Sequence, residues 1–295
     1  MRSLLLTCIL LLGNTLAHAG ELGKDLFPIG GFAPNPAQDL KNGFTIAGPA
    51  YRKQEEVFAQ CQAEKMPFIY LVGSKIDFLG KKGEPPESLN FDAIRNEIRE
   101  QVAAVADSDT IYAWYLQPEE LRFWIPLEME YLRVASEAIR EADPKKRPIW
   151  MYEPNHRNRG SLKKTLPYQG IAGKGAYTNF AGRKNERAWV SWSMEQQRQA
   201  IADVNPDILP VAVLEMFQEP APEERPLIRS WVRHDSYASL LGGARAMVIF
   251  SFSKRKGFGS REAYYNAYVE VAQELNGESA LGKVFLQGKE VESPE

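Results

Sequence analysis

The feature that most constrains the fold is a regular alternation of short apolar segments with longer segments of helical period. Eight segments have the length and composition of β-strands, and helical patterns separate nearly all of them. Repeated strand–helix units imply parallel strands that are joined by right-handed crossovers. We predict the eight strands at residues 27–32, 44–48, 68–72, 111–116, 148–152, 175–180, 210–216 and 246–252.

The number of these units favours one architecture. Eight strand–helix units within a chain of 295 residues have the size of a (β/α)8 TIM barrel. We therefore predict an α/β fold with a single barrel domain at residues 20–277, a short first crossover at 33–42 and a C-terminal tail at 278–295. The alternative is an open doubly wound sheet, which the lack of a Gly-rich phosphate loop disfavours.

The N-terminus has the layout of a secretory signal peptide at residues 1–19. Arg2 supplies a positive charge, residues 4–12 are almost all apolar, and Ala17-His18-Ala19 forms a small-residue cleavage site. The apolar run is too short to cross a membrane. We expect a secreted or periplasmic protein with no membrane span after cleavage. The alternative is an uncleaved N-terminal anchor.

The charge balance and the scarcity of ligand residues exclude several classes of partner. The chain has 36 basic and 38 acidic residues, and its net charge of −2 provides no field for nucleic acid. Cleavage would leave Cys61 as the one cysteine, which excludes an intramolecular disulfide and fits a buried thiol. His156 and His234 lack metal-ligand spacing, so we predict no metal and no nucleotide cofactor.

Two glutamates follow predicted strands at positions suited to catalysis. Active sites of such barrels lie at the C-terminal ends of the strands. Glu215 follows the apolar run 211–214 of the seventh strand, and Glu119 follows the fourth strand. Two carboxylates that face each other across a barrel are what glycoside hydrolysis requires. Each position also has a non-catalytic interpretation. Glu215 could form a structural salt bridge, and the neighbouring Glu120 could be a solvent-facing residue at the start of the next helix.

This pattern resembles the superfamily of retaining (β/α)8 glycoside hydrolases that includes β-galactosidases and cellulases. The resemblance rests on Trp114 five residues before Glu119, on the apolar run before Glu215 and on Tyr177 after the sixth strand. It implies that Glu119 is the general acid/base and that Glu215 is the nucleophile. It also implies that Tyr177 donates a hydrogen bond to the nucleophile.

Two positions depart from the superfamily pattern. Pro118 precedes Glu119 where Asn is common, and the eighth strand carries Phe250 and Phe252 where a Trp is common. The leading hypothesis is an exported glycoside hydrolase with a retaining mechanism. The departures motivate an alternative of a different class, a catalytically inactive barrel that binds polysaccharide.

Polar and aromatic side chains near the strand ends are candidates for contacts with an oligo- or polysaccharide substrate. A basic cluster such as 254–256 is more often a solvated loop than a site, but if it is functional it would favour an acidic sugar. The loop at 74–90 is long enough to form a rim or lid. A third hypothesis places the site at Glu153, Asn155 and His156 after the fifth strand. The candidates for substrate binding are Trp114, Gln117, Tyr177, Asn179, Trp189 and Phe252.

Overall fold

A computed structural model describes residues 22–80 and 86–288. Seven parallel strands form two sheets within these ranges, which confirms the α/β class. The four-stranded sheet has the order β1 (Ile29–Gly31), β7 (Ala246–Phe250), β6 (Leu209–Glu215) and β5 (Ile171–Gly175). The three-stranded sheet has the order β2 (Phe68–Gly73), β3 (Ile111–Gln117) and β4 (Ile149–Trp150).

Helices occupy most of the segments between the strands. Asn90 caps one of them by accepting a hydrogen bond from the Ala93 N–H at 3.1 Å, and Pro126 begins another. None of the helices in the described ranges combines the length and apolar character that a bilayer crossing requires. The helices are α1 (Pro36–Lys41), α2 (Gln54–Glu64), α3 (Phe91–Ala103), α4 (Pro126–Ala142), α5 (Arg159–Thr165), α6 (Ala188–Val204), α7 (Ile228–Leu241), α8 (Arg261–Asn276) and α9 (Leu281–Gln287).

Residues 44–48, predicted as the second strand, form isolated pairings instead of a regular strand. Ala47 makes a parallel bridge with Phe68 of β2. The N–H groups of residues 45 and 48 donate to the carbonyls of residues 29 and 31 at 2.9 and 3.2 Å. This segment therefore joins β1 of one sheet to β2 of the other. At the opposite junction, Glu153 beyond β4 forms a bridge with Lys174 of β5.

The predicted position of the sixth strand is wrong. We predicted it at 175–180, whereas the structure has β5 at Ile171–Gly175. The sequence Ile-Ala-Gly-Lys-Gly lacks the apolar alternation of a strand because two glycines face Trp150 and Tyr152. A Cβ atom at Gly173 would overlap the Trp150 indole, and one at Gly175 would overlap the Tyr152 hydroxyl. Glycine is required at these two positions because the neighbouring Trp150 and Tyr152 side chains fill the space that a Cβ would occupy, and not because the chain breaks there.

Side chains on the two faces of the strands enter different clusters. The inner cluster consists of buried residues from the strands of both sheets and the segments that flank them, and includes Tyr115 and Val213. The outer cluster lies between strands and helices, and includes Trp114 and Leu214. The period-2 alternation along β3 and β6 produces this division. Among the candidate residues it assigns Trp114 to the outer cluster and Tyr177 to the inner one.

The segment that we expected to be a tail contains α9. Phe285 and Leu286 of this helix pack against the outer cluster. Gln287 donates a hydrogen bond to the Lys24 carbonyl at 2.7 Å. At least residues 281–287 therefore belong to the folded unit, and the rest of the predicted tail from 289 onward lies outside the described residues.

Candidate active site

Aromatic rings cover the C-terminal end of the inner cluster, where β-strands of both sheets terminate. The ring centroids of Phe32 and Phe250 lie 5.0 Å apart, and those of Tyr177 and Phe217 lie 5.1 Å apart. Tyr152 stacks on Tyr177 at 6.0 Å. We call this cluster the aromatic floor and define it by Phe32, Tyr115, Tyr152, Tyr177, Phe217 and Phe250. The first four are buried, and Phe217 and Phe250 are partly exposed.

Glu119 lies at one edge of the aromatic floor, two residues beyond β3. Its Oε2 accepts a hydrogen bond from the Tyr51 hydroxyl at 2.8 Å and another from the Tyr115 hydroxyl. The two hydroxyls lie 3.3 Å from each other. Burial and the nearby Glu119 charge together raise the pKa of Tyr51 and of Tyr115, which keeps both phenols protonated as donors.

Glu215 ends β6 and is 4% exposed. Its two carboxylate oxygens accept hydrogen bonds from the backbone N–H groups of Asn179 at 2.6 Å and Phe180 at 3.0 Å. Burial raises the pKa of Glu215 to about 7, although the two N–H donors oppose that shift. The role of nucleophile that the resemblance implies for Glu215 requires this carboxylate in its ionised form.

The loop that binds Glu215 is fixed from the side of the helices. Arg187 Nη1 donates to Asn179 Oδ1 at 3.2 Å, and Asn179 Nδ2 donates to the Tyr264 hydroxyl at 3.2 Å. Arg187 also forms a nearly buried ion pair with Asp235 of α7. These contacts hold the two backbone donors in place before any substrate arrives.

Tyr177 lies between the environments of the two glutamates. Its ring centroid is 6.3 Å from that of Phe180, whose N–H binds Glu215. Burial raises the pKa of Tyr177, and the nearby Tyr152 and Glu119 add smaller contributions in the same direction. Asn179 and Phe180 provide the hydrogen bonds that the Glu215 carboxylate accepts from the described residues. The contact that the resemblance implied for the Tyr177 hydroxyl is therefore made by the backbone just beyond it.

A cavity of about 220 Å³ opens beside Glu119. Gln117 and Pro118 line one side of it, and residues 76–79 line the other. The loop that we predicted as a rim therefore contacts this cavity through its first part, while its residues 81–85 lie outside the described residues. Gln117, a candidate for substrate binding, lines this cavity together with Glu119.

Three of the substrate-binding candidates have contacts away from the aromatic floor. Trp114 is fully buried, and its Nε1 donates to Asp143 at 2.8 Å behind the sheet. Phe252 is buried against Phe44, with ring centroids 5.1 Å apart. Trp189 begins α6. Its Nε1 donates to Asn155 at 2.8 Å, and its ring stacks on Trp192 at 4.5 Å.

The third hypothesis places the site at Glu153, and the structure places this residue in a buried cluster of hydrogen-bonded side chains. Glu153 is fully buried and accepts hydrogen bonds from Thr165 at 2.5 Å and Gln169 at 3.0 Å. Burial raises the Glu153 pKa, and Arg157 opposes this from 3.7 Å. His156 is exposed and Glu153 is not, so the two side chains are not presented on a common surface.

Sequence reasoning missed the two tyrosines that contact Glu119. Tyr115 could have been predicted from the sequence, because it lies two positions before Gln117 and alternate residues of a strand share one face. Tyr51 follows the segment 44–48 by three residues and gave no such signal. In the described ranges no group of three or more His, Cys, Asp or Glu side chains is arranged to hold a metal ion.

Comparison with known proteins adds a likeness of fold. No protein-family model matches the chain, and no curated protein matches it. The chain is similar to a β-glucuronidase from Ruminococcus gnavus, with a TM-score of 0.56 and 11% identity over 77% of this chain and 43% of that one. It is also similar to a β-galacturonidase from Eisenbergiella tayi bound to galacturonate, with a TM-score of 0.57 and 12% identity over 82% and 46%.

A β-glucuronidase from Bifidobacterium dentium gives the same result, with a TM-score of 0.54 and 11% identity over 83% of this chain and 46% of that one. At such identities the similarity shows a shared fold. The chain spans less than half the length of each of these three proteins.

Proposed function

We propose that this protein is a glycoside hydrolase and that Glu119 and Glu215 are its catalytic pair. The observation that carries the proposal is that both carboxylates lie at strand ends and contact residues of the aromatic floor or their neighbours. Glu119 accepts a hydrogen bond from Tyr115, and Glu215 accepts one from the N–H of Phe180, whose ring packs against Tyr177 and Phe217. Aromatic faces and paired carboxylates are what a glycosidic substrate needs for binding and cleavage. The similarity to glycosidases that are named for uronide substrates supports the same class.

The proposal includes a closed (β/α)8 barrel. Residues 44–48 would supply the missing strand between β1 and β2, and the Glu153–Lys174 bridge would close the gap between β4 and β5. In that arrangement β3 and β6 are the fourth and seventh strands of the barrel. This matches the strand positions of the acid and the nucleophile in the superfamily that the sequence resembles.

The proposed mechanism is retaining. Glu119 would protonate the leaving oxygen while Glu215 attacks the anomeric carbon and forms a covalent glycosyl-enzyme. Glu119 would then remove a proton from the water that hydrolyses this intermediate. The roles follow the strand positions of the resemblance, and Glu215 must be ionised in order to attack.

Substitution of each glutamate tests the pair. Glu215→Gln should nearly abolish hydrolysis of every aryl glycoside while leaving sugar binding intact. Glu119→Gln should slow substrates with poor leaving groups most, because activated phenols need little protonation. Glu120→Gln is the matched control, since this neighbouring exposed carboxylate should be replaceable without effect. Normal turnover by Glu215→Gln would contradict the proposal.

A second candidate function is polysaccharide binding without catalysis. Pro118 occupies the position where the superfamily commonly carries an Asn before the acid, and Glu215 is almost inaccessible. Incubation of the wild-type protein with aryl glycosides and polysaccharides separates the two functions. Binding without any release of product would favour the second candidate.

We also propose export through the segment at residues 1–19, which lies outside the described residues. N-terminal sequencing of protein recovered from the periplasm or the medium should begin at Gly20. Recovery of exported protein that begins at Met1 would contradict cleavage.

A further inference from the structure

The basic segment 254–256 follows β7 and lies beside the aromatic floor. The guanidinium carbon of Arg255 is 4.9 Å from the Phe250 ring centroid and 5.5 Å from that of Phe217. Arg255 Nη2 donates to the Ser251 hydroxyl at 2.8 Å. An exposed arginine is thus held at the edge of the proposed substrate site by two rings and one hydrogen bond.

The charge of Arg255 is not neutralised within the described part of the chain. Neither Arg255 nor its neighbours Lys254 and Lys256 form an ion pair with any carboxylate of residues 22–80 and 86–288. By contrast, Arg187 is paired with Asp235, and Arg122 near the Glu119 cavity is paired with Glu128. A guanidinium with free donors presents a fork that matches two oxygens of one anionic group.

We propose that the site takes an anionic sugar and that Arg255 is the residue that recognises its charged group. The carboxylate of a uronic acid and a sulfate ester share the required chemistry, namely a negative charge spread over oxygens. The sugar ring would lie on the aromatic floor, and the two lysines would add to the attractive field. This inference rests on the proposed carbohydrate site and adds the substrate class to it.

Equilibrium binding of free sugars tests the charge preference directly. We expect galacturonate or galactose 6-sulfate to bind wild-type protein at least about 10-fold more tightly than galactose, and the preference should weaken as salt increases. Tighter binding of galacturonate identifies the carboxylate, and tighter binding of the sulfate identifies the ester. Equal affinity for all three sugars, or no binding of either anion, would overturn the inference.

Variants of Arg255 locate the preference. Arg255→Gln removes the charge and should reduce the affinity for the preferred anion by roughly 10- to 100-fold while leaving galactose binding unchanged. Arg255→Lys keeps the charge but loses the fork, so its affinity should be intermediate. Arg245→Gln makes the same charge change at the opposite end of β7 and should have no effect. A full preference in Arg255→Gln would contradict the assignment.

Failure of this inference and failure of the hydrolase proposal give different results. If the protein binds anionic sugars through Arg255 but hydrolyses no glycoside, the anionic preference stands and the catalytic proposal fails. If it hydrolyses 4-nitrophenyl β-glucosides as well as β-glucuronides, and Arg255→Gln alters neither rate, the catalytic proposal stands and the anionic preference fails.

Discussion

Glu215 combines deep burial with two hydrogen bonds that favour its charged form. The N–H groups of Asn179 and Phe180 lower its pKa, but burial has the larger effect and raises that pKa to about 7. A carboxylate with such a pKa changes its charge near neutral pH. The role that we propose for Glu215 in catalysis therefore determines the direction of the expected pH dependence.

We predict that kcat/KM for an activated aryl glycoside increases as the pH rises through about 7. Glu215 acting as the nucleophile is active only when ionised, and its ionised fraction grows through that range. A profile of kcat/KM against pH from pH 5 to 9 measures this increase directly. A decrease through the same range would show that Glu215 works in its protonated form, which would exchange the roles of Glu215 and Glu119.

The tyrosines at Glu119 give a second prediction at the scale of single residues. Tyr115→Phe removes one hydroxyl donor from the Glu119 carboxylate without removing the ring from the aromatic floor. We expect kcat/KM to decrease by roughly 10-fold or more, which corresponds to one charge-assisted hydrogen bond. Tyr70→Phe is the control, because Tyr70 donates to Glu55 at 2.6 Å outside the site. Equal effects of the two substitutions would exclude a role for Tyr115 in catalysis.

At the scale of elements, sequence periodicity identified those strands that have large apolar residues on both faces. The runs in β2, β3, β6 and β7 are long and were predicted in place. The strand at 171–175 was missed because it has glycines where a strand usually has apolar side chains. The Trp150 and Tyr152 side chains of the neighbouring segment fill that space. A pattern that depends on residues far away in the sequence cannot be recognised by local spacing.

A substitution in β5 tests this explanation. Gly173→Ala should lower the free energy of unfolding by roughly 1–3 kcal/mol, because its Cβ would overlap the Trp150 indole and the core must shift. Gly160→Ala in α5 is the matched control, since its Cβ would meet its nearest neighbour, Asn158 Oδ1, at an ordinary 3.5 Å. That change should be neutral or stabilise by up to about 1 kcal/mol. Urea unfolding of both variants measures the difference.

The candidate site shows a similar limit of sequence reasoning. Residues at the end of a strand or just beyond it, such as Glu215 and Glu119, could be named because the carboxyl ends of parallel strands define one edge. Trp114 was placed in the site by motif spacing, yet strand alternation turns it toward Asp143 behind the sheet. The partners of Glu215 come from a loop whose path depends on Arg187 and Asp235, which no local pattern relates to residue 179.

At the scale of the whole molecule, two buried ionisable groups change the free energy of unfolding with pH in opposite directions. Lys174 is fully buried; its Nζ donates to the Asn155 carbonyl at 2.6 Å and to the Ser193 hydroxyl at 2.7 Å. Burial lowers the Lys174 pKa to about 7, whereas burial raises the Glu215 pKa to about 7. Both groups therefore lose part of their charge near neutral pH in the folded state, while in the unfolded chain both are ionised.

The Lys174 shift predicts stability that grows with pH above neutrality. Between pH 7 and about 10.5 the unfolded chain binds the Lys174 proton more completely than the folded protein does, so its contribution to the free energy of unfolding increases with pH. From pH 7 to 9 the increase should be roughly 2–3 kcal/mol. Lys174→Met should remove this increase, and Lys283→Met, at an exposed position of α9, should retain it. Urea unfolding of the three proteins at pH 7, 8 and 9 measures it. Parallel pH profiles for wild type and Lys174→Met would show that Lys174 stays charged inside the fold.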